Sequence, residues 1–179
     1  EVPLLLDLHG YSGNKTQQRG LSGFEEIALR EGFIVAWPQG IQRSWNAGGV
    51  QWLSANEAPE VPGQGCCGTA IFEEIDDVAF IRDMVAQLMR QYSIDPVRVY
   101  VSGLSNGCAM AQRLAAEASD VFAGAACMSM YLLSDVPATY TPTPVMEIHG
   151  TADRVVDYYE GKWNGAMKNF ENWRIRNGC

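Results

Sequence analysis

Short apolar runs alternate along this chain with stretches of helical periodicity. Val2 to Leu8 and Phe33 to Trp37 read as buried strands, and Val97 to Ser102, Ala123 to Met128 and Val145 to His149 read the same way. Between them, Ser22 to Arg30 is predicted to be helical with Ser22 near its N-cap. Ile75 to Tyr92 is the clearest helix, because Val78, Ile81, Val85, Leu88 and Tyr92 recur three or four apart and share one face. Asp95-Pro96 then reads as a break. Asn106 to Ala118 forms an alanine-rich helix, and Asn164 to Arg176 a last one with Gly178 placed to cap it. Strand and helix in alternation predict a mainly parallel sheet with helices on both faces. One stretch breaks the rhythm: Gln39 to Ala70 has no periodicity and is rich in glycine, as a functional or cross-linked loop would be.

All 179 residues fit a single α/β domain, with no repeat and no linker. The net charge of −8 argues against nucleic acid or an anionic membrane as partner, because both call for a basic face. The longest apolar run, Val121 to Leu133, is too short to span a bilayer. The chain enters a strand at its second residue, so it reads as trimmed at its start. Cys66, Cys67, Cys108, Cys127 and Cys179 are odd in number, so at least one lacks a partner within these residues. Cysteine usage favours an extracellular origin, and the vicinal pair Cys66-Cys67 is not expected to bond to itself. Asn14-Lys15-Thr16 is a glycosylation sequon. Oligomeric state leaves no mark in the sequence.

Gly103-Leu104-Ser105-Asn106-Gly107 matches G-x-S-x-G. The motif gains meaning from its place, after one predicted strand and at the start of a predicted helix. There a strained turn exposes the serine oxygen, and the glycines let strand and helix backbones approach. A nucleophilic Ser105 needs hydrogen-bond donors for the oxyanion that forms after attack. One is the N–H of Asn106. A second comes from the loop Leu6-Asp7-Leu8-His9-Gly10-Tyr11-Ser12-Gly13, where Tyr11 or Ser12 presents its N–H. The acid is expected after a later strand, and Met146-Glu147-Ile148-His149-Gly150-Thr151-Ala152-Asp153 offers Asp153, with Asp157 in reserve.

Taken together, these pieces resemble the secreted esterase group that contains polyhydroxybutyrate depolymerases, feruloyl esterases and acetylxylan esterases. The matching runs are LDLHGYSGN, EGFIVAWPQG, SWNAGG, GCCG, IDDVAFIRDMV, IDPVRVYVSGLSNGCAMA, HGTADRVVDY and WRIRNGC, from Leu6 to Asn177. The resemblance implies an α/β-hydrolase fold, truncated here at both ends, and secretion. It implies hydrolysis of carboxylic esters through an acyl-serine, with no cofactor and no metal. It supports Ser105 as nucleophile and Asp153 as acid, and places Trp45 and Asn46 near the substrate pocket. Trp52 could line the same pocket.

The expected base is missing. His9 and His149 are the only histidines, and both precede Asp153. The group carries its catalytic histidine well after the acid, so the base is expected beyond Cys179, and this stretch alone is expected to be inactive. A metal site from the two histidines lacks a third ligand at usual spacing. The competing expectation, from another class, is a non-catalytic module on the same fold that binds polysaccharide or polyester.

Overall fold

The structure is a computed structural model that describes residues 1–48, 67–159 and 165–179. Five parallel strands form one sheet in the order β2-β1-β3-β4-β5. These are β1 (Val2–Leu8), β2 (Ile34–Ala36), β3 (Ile94–Leu104), β4 (Gly124–Met128) and β5 (Val145–Ile148). In β1, Leu4, Leu6 and Leu8 are fully buried on one face, and Asp7 is buried on the other. Burial of both faces explains why the strand reads as a continuous apolar run. Each such leucine contributes about 1.5–3 kcal/mol by leaving water.

The helices are α1 (Lys15–Ser22), α2 (Phe24–Glu31), α3 (Thr69–Phe72), α4 (Asp77–Gln91), α5 (Asn106–Glu117) and α6 (Ala166–Arg176). Helix α4 starts at Asp76, whose carboxylate accepts the Ala79 N–H, and buries Ile81 and Val85. With α5 it covers the face bearing Leu4, Leu6, Leu8, Val99 and Val101. Helix α1 lies on the other face, where Gln18 Nε2 donates to Asp7 Oδ1. Beyond α1 that face stays open among the described residues. Tyr100, Met128, Met146 and Ile148 are 38% to 57% exposed there, beside an apolar groove of about 460 Å³.

Three expectations change. First, the helix expected over Ser22 to Arg30 is α2, with Gly23 at its N-cap, and a further helix, α1, precedes it and ends at Ser22. Asn14 caps α1 by accepting the N–H groups of Thr16 and Gln17, and Gly23, at φ 66, ends α1 before α2 begins. Second, Asp95-Pro96 lies within β3 instead of ending an element. The register slips between the Val2–Ile94 and Leu4–Val99 pairs, and this irregularity absorbs the proline's missing N–H. Third, the Gln39 to Ala70 stretch contains a short 3₁₀ turn (Ile41–Arg43) and the start of α3. Trp52, Cys66 and Asn164 lie outside the described residues, and with Cys66 the expectation for the vicinal pair.

Cys108 and Cys127 are disulfide-bonded and tie α5 to β4. Cys179 is free and exposed. No helix among the described residues is long and apolar enough to cross a membrane.

Candidate active site

The sheet brings the candidate residues to one edge. Leu8 pairs with Gly103, Leu104 with Met128, and Met128 with Ile148. The chain segments that leave β1, β3 and β5 therefore emerge at the same end of the sheet, with β4 between β3 and β5, because parallel strands all end on that side. Those segments carry Tyr11, Ser105 and Asp153.

Ser105 adopts φ 52 and ψ −119, a conformation costly for a residue with a side chain, at the junction of β3 and α5. Its N–H donates to Met128 O at 2.9 Å, which anchors the turn to β4. The flanking glycines are sterically required. A β-carbon on Gly103 would lie 2.4 Å from the Gly107 carbonyl, and one on Gly107 would lie 2.3 Å from Leu8 O. Gly10 is next to the turn, since a β-carbon there would lie 3.5 Å from Ser105 Cβ. Strand β1, its exit loop and the start of α5 thus meet with room only for hydrogen.

In the loop after β1, Tyr11 and Ser12 differ in what their N–H groups meet. Ser12 N–H donates to Arg43 O at 2.9 Å, and Gly13 N–H to Gly10 O at 3.0 Å. The N–H groups of Tyr11 and Asn106 have no partner among the described residues. They remain available to a developing negative charge.

What holds this loop was not legible from motifs. The side chain of Asn106, fully buried, brackets the backbone of Trp45: Oδ1 accepts the Trp45 N–H at 2.7 Å, and Nδ2 donates to Trp45 O at 3.0 Å. The Trp45 indole N–H in turn donates to His9 O at 2.9 Å. One buried clamp therefore joins the residue after Ser105 to the loop that bears Tyr11. Trp45, expected near the substrate pocket, is 0% exposed and braces this loop from within. Asn46 is committed as well. Its N–H donates to Asp77 Oδ2, its amide to Ile75 O, and its carbonyl accepts from Arg113.

His9 is buried and occupied. Nε2 accepts the Gly40 N–H at 3.0 Å, so the proton sits on Nδ1, which donates to Gly10 O at 2.9 Å. Burial lowers its pKa, in keeping with a neutral ring.

Asp153 Oδ1 accepts the N–H groups of Val155 at 2.8 Å and Val156 at 3.0 Å. The bond to Val156, then that to Val155, holds the carboxyl below its ordinary pKa, so it stays ionised. Burial raises the carboxyl of Glu147 in β5, which contacts His149. Among the described residues no group of three or more His, Cys, Asp or Glu is placed to hold a metal ion.

A parallel sheet with a strained serine between β3 and α5, and an acidic turn after a later strand, defines an α/β-hydrolase. The family model described as Esterase PHB depolymerase matches residues 1–159, and the chain belongs to that family. Feruloyl esterase B of Piromyces equi is 30% identical over 199 residues, taking in 99% of this chain and 33% of that protein. Poly(3-hydroxyalkanoate) depolymerase C of Paucimonas lemoignei is 34% identical over 127 residues, taking in 70% of this chain and 27% of that protein. The chain thus spans a third or less of these two relatives. Among solved structures, the acetyl xylan esterase from Aspergillus awamori superposes with a TM-score of 0.74 at 18% identity, over 99% of this chain and 70% of its own. At that identity the likeness bears on the fold alone.

Proposed function

We propose that this chain carries the nucleophile, oxyanion donors and acid of a serine carboxylic-ester hydrolase. Its substrates are feruloyl or acetyl esters of plant polysaccharides, or hydroxyalkanoate polyesters. One observation carries the reading: a buried clamp and three crowded glycines hold a strained Ser105 at the turn where the N–H groups of Tyr11 and Asn106 have no partner among the described residues.

In this mechanism Ser105 Oγ gives its proton to a histidine and attacks the ester carbonyl. The Tyr11 and Asn106 N–H groups stabilise the tetrahedral oxyanion. The alcohol leaves with the proton from the imidazolium. Water, deprotonated by the same base, attacks the acyl-serine and releases the acid. Asp153 orients the imidazole and stabilises its cation. The base is a histidine outside these 179 residues, since His9 and His149 are both committed to other partners. Trp45 and Asn46 act as supports beneath the pocket. The disulfide between Cys108 and Cys127 supports an extracellular setting.

The test is mass spectrometry of the full-length polypeptide after treatment with a serine-directed fluorophosphonate. A single adduct on Ser105, absent from Ser105→Ala together with hydrolysis of methyl ferulate, acetylated xylan and hydroxybutyrate polyester, is expected. Turnover that survives Ser105→Ala would sink the reading.

A further inference from the structure

Beneath the Asp153 turn, Glu147 and His149 form a buried pair whose side chains are 10% and 2% exposed. His149 Nδ1 lies 2.8 Å from Glu147 Oε1, and Nε2 lies 2.9 Å from Val156 O. A carbonyl can only accept, and so can an ionised carboxylate. A neutral imidazole has one N–H and one lone pair. Beside an ionised Glu147, a neutral ring would set lone pair against lone pair at one of these contacts, whichever tautomer it chose. Both contacts are satisfied together only when the pair holds one more proton, within the Nδ1–Oε1 contact. Nε2–H then donates to Val156 O.

Val156 is gripped from both sides. Its carbonyl accepts from His149, and its N–H donates to Asp153 Oδ1. Asp153 Oδ2 itself lies 3.6 Å from His149 Nε2. Glu147 is fixed in turn, since Oε2 accepts from Asn169 Nδ2 at 2.6 Å. The same amide donates to Gln112 Oε1 at 2.9 Å, and Gln112 Nε2 donates to Met130 O at 2.9 Å. Gln112 belongs to α5, the helix that starts at Ser105. Two buried amides therefore connect the nucleophile's helix to the pair that shapes the acid turn.

The surroundings favour the added proton. The Tyr131 ring lies parallel to His149 at 6.3 Å, and Tyr158 meets its edge at 6.0 Å. The charged and titratable groups around the ring are Glu147 from β5, Asp153 from the turn, the two tyrosines, and Asp157, which acts on Tyr131. Helix α6 presents the neutral amide of Asn169. Burial raises the Glu147 carboxyl, which favours its protonated form, and burial also raises Tyr131, to about 12, so the phenol adds no charge near neutral pH.

We propose that Glu147 and His149 share a proton and together act as the positioning device for the Asp153 carboxylate. The proposal rests on the reading of Asp153 as the acid. Loss of the shared proton sets two lone pairs against each other, releases Val156 and lets the carboxylate turn away.

The experiment uses the full-length protein labelled with 15N-histidine. At neutral pH an exchange-protected, far-downfield proton correlated with His149 Nδ1 is expected, and it disappears in Glu147→Gln. Hydrolysis provides the second readout. Glu147→Leu removes the partner, and kcat is expected to fall on the order of 10²-fold with KM unchanged. In Glu147→Gln the amide N–H satisfies Nδ1, and its oxygen still accepts from Asn169, with no added proton. That variant is expected to recover kcat relative to Glu147→Leu and to lose the alkaline decline of the wild-type kcat. A wild-type spectrum without the proton, or a Glu147→Gln enzyme with the wild-type alkaline decline, overturns the proposal. Asp153→Asn separates the two readings: full kcat there overturns the acid assignment while leaving the proton signal in place.

Discussion

Gly107→Ala tests how tightly the exit of β1, its loop and α5 are pressed together. The added methyl would lie 2.3 Å from Leu8 O, 2.6 Å from His9 O and 2.7 Å from Leu8 C. These are all backbone atoms, so no rotamer change relieves the clash. Either β1 or α5 has to move. Overpacking a rigid site costs about 3 kcal/mol. The better helix propensity of alanine returns about 1 kcal/mol, which leaves a net loss of about 2 kcal/mol. With a urea slope of about 2 kcal/mol per M for a domain of this size, the midpoint should fall by about 1 M. Gly20→Ala is the matched control. Gly20 sits in α1 with nothing within 4 Å of the new methyl, so the same chemical change should stabilise by about 0.5–1 kcal/mol. The two variants should shift the midpoint in opposite directions. Gly107→Ala should also lower the rate of fluorophosphonate labelling, because His9 and Gly10 carry the displacement to Tyr11. Equal midpoints for Gly107→Ala and wild type would refute the packing argument.

Other outcomes follow from the same geometry. Ser105→Gly should abolish labelling and raise stability by about 1 kcal/mol or more, since Ser105 holds φ 52 against its side chain; a destabilised variant would mean that the turn is not strained. Cys108→Ala with Cys127→Ala should cost about 3 kcal/mol in denaturant unfolding, the loop-closure value for a separation of 19 residues; an unchanged midpoint would contradict it. Burial raises the folded-state pKa of Asp7 and of Asp77, so each contributes stability that is full below its unfolded pKa and lost as pH rises through the raised value. Relative to Asp7→Asn with Asp77→Asn, wild-type urea midpoints should therefore decline from the ordinary carboxylate range upward, and a relative rise over that window would reverse the assignment. Asp153 has the opposite sign. Its lowered pKa contributes stability above the unfolded value, and that contribution is lost only in stronger acid.

Positions governed by local rules could be read directly. Strand β1 follows from an apolar run, α4 from its period, and the crowding at Gly103 and Gly107 from the need for a tight strand-to-helix turn. Helix α1 was missed because its signal is a cap and not a period. Asn14 stands in a glycosylation sequon and also caps α1 through its carboxamide oxygen, and Gly23 forms the joint between two short helices. The clamp between Asn106 and Trp45 spans 61 positions, and the link between Asn169 and Gln112 spans 57. No spacing rule reaches that far. A buried amide in an otherwise apolar helix face was the available signal, since Gln112 interrupts an alanine-rich run. The burial of Trp45 was not legible for a related reason. Sequence marks a tryptophan in a long loop but not which way its ring faces.

The two histidines explain how the site is divided. A general base must offer a lone pair to the serine proton. The Nε2 lone pair of His9 is taken by the Gly40 N–H, with Gln39 beside it, and its other nitrogen donates to Gly10 O. Both nitrogens of His149 face acceptors, so neither has a lone pair free while the turn keeps its shape. Redirecting either ring toward Ser105 would dismantle the turn it supports: His9 holds the loop that presents the Tyr11 N–H, and His149 holds the one that presents Asp153. Each turn thus uses its own histidine for shape. In the hydrolase we propose, the proton-transfer histidine is consequently a third one. The site's other parts reach their geometry without it, because nucleophile turn, oxyanion loop and acid turn are each anchored by bonds made within these residues. A base arriving from elsewhere in the polypeptide has only to dock beside Ser105 and Asp153, not to organise them.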